Sequence, residues 1–401
     1  MTLLGIVAFI VALLLSVVLH EAGHFVTARH YGMKATQFFV GFGPTLWSRR
    51  RGETEYGIKA VPAGGYVKII GMTPLEEVEP GDEPRAFYRQ PGGRKAVVLA
   101  AGSFVHFLIA VVLVLITTTA LPTVDATAPV VTAPVSTLPA TVTPDGSASS
   151  QTVPAPAQGV LRKGDRVLSV AGQKTTTWRQ VVSIVRASPG RDLPFVLERD
   201  GKQVTVDITP VAVTRPGLTD TRTSEQVGAV GVGQGTVLRH LGPVDAVQET
   251  GSTLKLMVTG TYTAVTEKLG SVTTLYSPHR DREGLVGLVG AARVSGEVLA
   301  VQEEPFVLRV SQFLLLIAGL NLFVGVFNLL PLLPLDGGHL AVLAYENARD
   351  KLRRLRGYRG EFQRVDFAKL MPLTYAVVLL FVGLTLWIMG ADIVNPIKLT
   401  Q

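Results

Sequence analysis

The sequence predicts a polytopic α-helical membrane protein with four transmembrane helices. Three observations predict it. Four long segments are almost purely apolar, the short loops between them are rich in Arg and Lys, and a His-Glu-x-x-His pattern lies inside the first apolar segment. Of 401 residues, 47% are hydrophobic and only 17% are charged, a composition on the membrane side of average usage. The net charge of +7 raises the question of nucleic acid. Many of the basic residues flank apolar runs, however, and the chain has no nucleic-acid-binding motif, so no nucleic-acid partner is expected. The chain has no cysteine, which excludes disulfides, a thiolate metal site and a thiol nucleophile. A transition metal would have to be held by His and carboxylate.

The first span is read over Leu3 to Val26, long enough to cross a bilayer at 1.5 Å per residue. No Lys or Arg precedes Arg29, so it lacks the basic start of a signal peptide. Further spans run from Val97 to Leu121, from Val310 to Leu333 with Pro331 near its end, and from Pro372 to Met389, where the proline suits a helix start. The loop after the first span carries Lys34, Arg49, Arg50, Arg51, Lys59, Lys68, Arg85 and Arg89. The loop after the third carries Arg349, Lys351, Arg353, Arg354, Arg356, Arg359, Arg364 and Lys369. Positive short loops face the cytoplasm, so both termini and the long 122–306 segment should lie outside the plasma membrane.

That long segment opens with a stretch rich in Pro, Thr, Ala, Ser and Val. A turn at Lys163-Gly164-Asp165 then leads into a strand closed by Ala171-Gly172. A helix is expected over Trp178 to Val185. Strands are expected over Phe195 to Glu198 and Val204 to Ile208, joined by a hairpin at Asp200-Gly201. This order, with Gly159-Val160-Leu161-Arg162-Lys163-Gly164-Asp165, resembles a bacterial PDZ domain, a module that binds peptide ends by strand addition. Asp245 to Leu269 carries a helical apolar stripe at Val247, Leu254, Val258, Tyr262, Val265 and Leu269. It reads equally as a helix packed on that domain or as one lying at the membrane surface.

The chemistry is concentrated in His20-Glu21-Ala22-Gly23-His24. On a helix, residues four apart share a face, so both imidazoles can reach one ion. Glu21 stands beside that face, where it can take a proton from an attacking water. Ionisable groups inside an apolar span are costly and usually functional. A catalytic zinc needs a third protein ligand, and the best candidate is Asp336 in Asn328-Leu329-Leu330-Pro331-Leu332-Leu333-Pro334-Leu335-Asp336-Gly337-Gly338. The two prolines break span three at the depth where His20 and His24 lie.

These residues resemble the site-2 protease family of regulated intramembrane metalloproteases, and most of all its actinobacterial members with one PDZ domain. The H-E-x-x-H motif and the N-x-x-P-x-x-P-L-D-G motif, in this order and separation, carry the resemblance over nearly the whole chain. It implies Zn2+ held by His20, His24 and Asp336, with Glu21 as the base. Phe42-Gly43-Pro44 and Tyr56-Gly57 through Pro62-Ala63-Gly64-Gly65-Tyr66-Val67 resemble the family's membrane-reentrant β-hairpin, which makes Gly43, Gly64 and Gly65 candidate substrate-binding positions. Asn328 is associated by the resemblance with substrate backbone; helix–helix hydrogen bonding is the equal alternative, and for Asn321 the preferred one. Ala101-Gly102-Ser103-Phe104-Val105-His106 departs from the family's A-G-P-x-x-N, with Ser103 and His106 in place of Pro and Asn. His106 reads as a polar contact to a facing helix rather than a ligand.

The expected division is a first helix at 1–30, a cytoplasmic loop with the reentrant hairpin at 31–93 and a second helix at 94–121. A PDZ domain follows at 122–211, and a linker with the amphipathic helix at 212–306. A third helix at 307–340, a basic loop at 341–369, a fourth helix at 370–391 and an outer tail at 392–401 complete it. The implied substrates are single-pass membrane proteins cut within or near the bilayer, anti-sigma factors already shortened outside being the class suggested. Peptide ends would bind the PDZ domain, which would act as a size filter, and the lipid bilayer would surround the spans. A peptide-capturing scaffold is the rival from another class, but it has no need of Glu21. A metal transporter would need a polar path through spans two and four, which offer little.

Overall fold

The structure is a computed structural model, and it describes residues 2–72, 78–125, 127–218, 222–277, 280, 284–301, 304–358 and 365–397. In chain order the elements are α1 (Thr2–His30), β1 (Ala35–Arg51), β2 (Thr54–Ile69), α2 (Gly92–Thr119), β3 (Thr123–Val124), β4 (Thr137–Pro139), β5 (Thr152–Pro154), β6 (Arg166–Val170) and β7 (Gln173–Lys174). There follow α3 (Trp178–Arg186), β8 (Leu193–Arg199), β9 (Lys202–Ile208), β10 (Val211–Pro216), β11 (Ser224–Ala229), β12 (Leu238–Arg239), α4 (Pro243–Thr266), α5 (Leu288–Ala300), α6 (Phe306–Asn328), α7 (Asp336–Leu355) and α8 (Phe367–Val394). Arg359 and Arg364 of the basic loop lie outside the described residues, as do the side chains of Val265 and Leu269.

Two compact units are formed, one by residues 1–121 with 241–401 and the other by 122–240. In the first, α1, α2, α6 and α8 are long and apolar enough to cross a membrane, the four helices the apolar runs predict. Apolar side chains such as Leu3, Val11, Leu379 and Leu380 are more than half exposed, as expected of faces that lipid covers. Helix bounds differ from expectation: α2 begins at Gly92 rather than Val97, α7 carries the chain as helix to Leu355 through much of the expected 341–369 loop, and α6 and α8 differ as follows. Helix α8 begins before Pro372, because Asp366 caps it by accepting a hydrogen bond from Ala368 N–H at 3.0 Å, and the proline is carried inside the helix. Span three stops at Asn328 rather than Leu333. Pro331 and Pro334 cannot continue it, and the backbone turns through Leu329–Leu335 before α7 starts at Asp336.

Strands β1 and β2 form more than a plain hairpin. Gln37–Val40 lie between two partners, Lys68–Gly65 on one side and Glu55–Ile58 on the other, while Trp47–Arg51 pair with Ile58–Thr54. Both long strands therefore bend, near Gly41–Thr45 and Val61–Gly65, and fold over into a small sheet. Gly41, Gly43 and Gly64 have φ of 89°, 82° and 139°, backbone that side-chain-bearing residues rarely adopt. The sheet packs on α1 through Phe25, whose ring meets Phe38 at 5.5 Å and Tyr56 at 5.8 Å.

Helix α4 belongs to the helical unit and packs on α2 and α6: Leu254 and Met257 lie against Ala110, Val114, Ala318 and Leu322, and Thr118 hydrogen-bonds Thr250 at 2.8 Å. Within this unit its packing is against α2 and α6. A buried cluster ties down the far end of α8. The Asp392 carboxylate accepts from Arg280 Nη2, Gly287 N–H and Gly290 N–H, each at 2.9 Å.

In the second unit the four-stranded antiparallel sheet has order β7-β6-β8-β9, and α3 covers it. Period-two alternation sends Phe195 and Leu197 of β8 inward to meet Val181 and Val185 of α3. Thr177 and Gln180 close a capping box at the start of α3. Asp200 and Gly201 adopt φ of 54° and 73°, the two left-handed positions that a two-residue hairpin turn requires. Strands β10 and β11 run past the expected domain end at residue 211 yet pack with this unit, Val230 just after them joining its core.

Candidate metal centre

His20 and His24 sit one turn apart on α1, buried on the face that meets α2. That contact is close because both helices carry glycine there. A Cβ at Gly23 would fall 2.8 Å from Ala101 O, and one at Gly102 would collide with ring atoms of both His20 and His24. The His24 Nδ1–H donates to Val98 O at 2.7 Å, which assigns the tautomer and leaves a lone pair on Nε2.

The break after α6 delivers the third group. Asp336 is the first residue of α7, and the following glycines let the helix start lie on the 329–333 turn. A Cβ at Gly337 would overlap Leu329 and Leu330 backbone, and one at Gly338 would come within 2.6 Å of Leu333 N. Asp336 Oδ2 then stands 3.4 Å from His20 Nε2 and 3.4 Å from His24 Nε2, which are 3.2 Å from each other.

The His24 Nε2 lone pair and the Asp336 carboxylate oxygen, with His20 Nε2 beside them, repel unless a proton or a metal cation sits among them. Asp336 Oδ2 is moreover buried with no hydrogen-bond partner, as is His20 Nδ1. Zinc–nitrogen and zinc–oxygen bonds of about 2.0–2.2 Å in a tetrahedron put neighbouring ligands about 3.3–3.6 Å apart, and the observed separations match to about 0.1 Å. The donor set fits a metal ion.

Glu21 also meets the sheet: a Cβ on Gly65 would lie 3.2 Å from its Cγ. Gly65 is thus the one of the three candidate glycines that meets the catalytic helix. Gly64 lies against the Phe42 ring, and Gly43 sits at the bend of β1. Asn328 is the last residue of α6, half-buried, and stands outside the metal triangle. Asn321 is buried, and His106 Nδ1 lies 2.8 Å from its Oδ1, the cross-helix contact expected of both residues. The His106 ring also lies 5.0 Å from that of His20 and stands outside the His20–His24–Asp336 group. Sequence reasoning missed Gly102 as a determinant of the site. The signal available was its place on span two, where a glycine in an apolar helix permits close approach of a neighbour.

Comparison with known proteins decides the family. The family model described as Peptidase family M50 matches residues 8–373. The chain belongs to peptidase family M50, the site-2 proteases. Among the curated relatives is zinc metalloprotease Rip1 of Mycobacterium tuberculosis, 38% identical and covering 99% of each chain. Zinc metalloprotease Rip1 of Mycolicibacterium smegmatis is 35% identical over 99% of each. Zinc metalloprotease RasP of Geobacillus kaustophilus is 27% identical over 94% of this chain and 97% of its own. A solution structure of GtR34C from Geobacillus thermodenitrificans aligns with 25% of the chain at 24% identity and a TM-score of 0.16. The M50 match runs from within α1 into α8, so it spans the His20–His24 turn, the β1–β2 sheet and the Asp336 turn alike.

Proposed function

We propose that the chain is a zinc-dependent intramembrane endopeptidase that hydrolyses a peptide bond within or near the transmembrane segment of single-pass membrane proteins. The observation that carries this reading is the convergence of Asp336 Oδ2, from the turn after α6, on His20 Nε2 and His24 Nε2 of the candidate membrane span α1, with Glu21 next to His20 on that helix. His20, His24 and Asp336 would hold the ion. When bound, zinc supplies Lewis acidity that lowers the pKa of water to about 7 and polarises a carbonyl.

The chain's own residues do the remaining work. Glu21 takes a proton from the attacking water and delivers it to the leaving amine nitrogen as the C–N bond breaks. Val98 O and the His106–Asn321 pair hold the ring planes of His24 and His20. A transmembrane helix hides its peptide bonds, so the substrate must be drawn into extended form. The β1–β2 sheet, whose Gly65 lies beside Glu21, is the element that would accept it as an added strand, making it the family's membrane-reentrant hairpin. Asn328 at the end of α6 would hold substrate backbone.

The Arg- and Lys-rich segments after α1 and α6 support a plasma-membrane orientation with this site towards the cytoplasm and the 122–240 unit outside. Sheet order, the α3 cover and the Lys163-Gly164-Asp165 turn support a PDZ domain for that unit. As a filter it would exclude single-pass proteins with bulky outer domains, which points to pre-trimmed anti-sigma factors as substrates. The test is cleavage of a truncated single-pass substrate in liposomes by wild type and Glu21→Gln. Wild-type cleavage that is lost both in the variant and on zinc chelation supports the reading. Equal cleavage by both proteins sinks it.

A further inference from the structure

One face of the β1–β2 sheet carries charge that the proteolytic mechanism does not use. Trp47, Arg49 and Arg51 alternate along β1 and so share a face, and Tyr56 pairs with Arg49. With Arg29 from the last turn of α1 they line an open cavity of about 680 Å³. No carboxylate among the described residues lines it. Among the described residues, none of the three guanidiniums is in an ion pair, and Glu53 at the adjoining turn is held by Arg85 at 2.5 and 2.8 Å. The opposite face, where Arg50 lies with Lys34 and Lys68, also carries the carboxylates Glu53, Glu55, Glu79 and Asp82.

Position in the bilayer identifies the ligand. At 1.5 Å per residue, Arg29 stands about 12 Å along α1 from Glu21, towards the basic end of the helix. The bends of the sheet point the other way, with Gly65 beside Glu21 and with Phe42, Leu46 and Val61 exposed by 45%, 69% and 50%. An apolar tip, on which Lys59 is folded over the Phe39 and Tyr66 rings and donates to Gly43 O, then aromatic Trp47 and Tyr56, then three arginines is the order in which a bilayer presents acyl chain, interface and headgroup phosphate.

We propose that this face is an anionic-lipid site, in which Arg29, Arg49 and Arg51 hold a headgroup phosphate beside Trp47 and Tyr56. The inference rests on the sheet being membrane-embedded. A bound headgroup fixes the height of the sheet against α1, and hence of Gly65 against Glu21, so cleavage rises with the anionic lipid content of the membrane.

The test uses the full chain carrying Glu21→Gln, reconstituted in phosphatidylcholine with spin-labelled phosphatidylglycerol or spin-labelled phosphatidylcholine as probe. The expected result is a preference for phosphatidylglycerol that falls about fivefold for each arginine removed in Arg49→Gln and Arg51→Gln. Arg49→Lys/Arg51→Lys and Arg50→Gln should retain it. No preference in the wild-type sheet, or an equal loss in Arg50→Gln, overturns the site. Displacement of the lipid by millimolar inorganic phosphate overturns the lipid assignment in favour of a soluble anion. Because the chain has no cysteine, a nitroxide on Leu46→Cys separates the two layers of the argument. A label in water refutes the embedded sheet, whereas a lipid-shielded label with no headgroup preference refutes the site alone.

Discussion

Gly102→Ala is the smallest change that should disable the proposed metal centre without replacing His20, His24 or Asp336. The added methyl would lie 2.6 Å from His20 Nδ1 and closer still to His20 Cε1 and His24 Nε2. Ordinary carbon contacts are about 3.5–4.0 Å, so α1 and α2 must part, or the rings must swing, by about 1 Å. Overpacking of this kind costs about 1–3 kcal/mol of stability. A 1 Å misplacement at a reacting centre costs about 10²-fold in rate. The assay is threefold: zinc retained against a competing chelator, thermal unfolding in detergent, and cleavage of a truncated substrate. Gly319→Ala on α6, where a methyl meets nothing within 4 Å, is the control. Zinc affinity and cleavage both at the wild-type level in Gly102→Ala would refute the claim that this glycine sets the helix spacing at the site.

Gly338→Ala should reduce zinc retention as well, because its methyl meets the 332–333 backbone that seats Asp336, and chelator competition measures this. His106→Leu should strand the Asn321 amide oxygen at a cost of about 1–3 kcal/mol, read as a lowered unfolding midpoint, whereas His106→Asn restores a donor. In the 122–240 unit, burial pushes the Asp165 carboxyl up, but hydrogen bonds from Arg199 and from Arg162 N–H outweigh this and hold it below the usual carboxylate range. A depressed folded-state pKa gives stability that is complete above the unfolded value of about 3.9 and is lost as pH falls below it towards the folded value. Arg199→Ala should therefore raise hydrogen exchange across β6 and β8 at neutral pH, with the difference from wild type shrinking at low pH. Asp392→Asn removes the charge that Arg280 meets in a buried pair and should cost about 3–5 kcal/mol, read as faster hydrogen exchange over residues 287–295.

The four spans were legible because a bilayer demands long apolar runs whatever the tertiary packing. The meeting of His20, His24 and Asp336 was legible because ionisable groups in such runs have few other uses, and because His20 and His24 share a helical face. Strands β6, β8 and β9 and helix α3 were readable from alternation, helical spacing and the Asp200-Gly201 turn, all of them local signals. What escaped depended on contacts far apart in sequence. The fold-over of β1 and β2 is set by which segments pair across the sheet. The start of α8 is set by the Asp366 cap, which outweighs the local signal of Pro372. The seat of α4 on α2 and α6 is decided by Leu254 and Met257 finding Ala110 and Ala318, which its apolar stripe alone does not specify. Gly102 looked like any small residue in a span until the two imidazoles were placed opposite it.

X-ray absorption at the zinc K-edge tests the central claim most directly, applied to wild type, Asp336→Ala and His106→Asn. The account predicts two imidazole nitrogens and a carboxylate oxygen around the wild-type metal, an unchanged spectrum in His106→Asn and loss of zinc in Asp336→Ala. A third imidazole in the wild-type shell, or the wild-type spectrum persisting in Asp336→Ala, would contradict it.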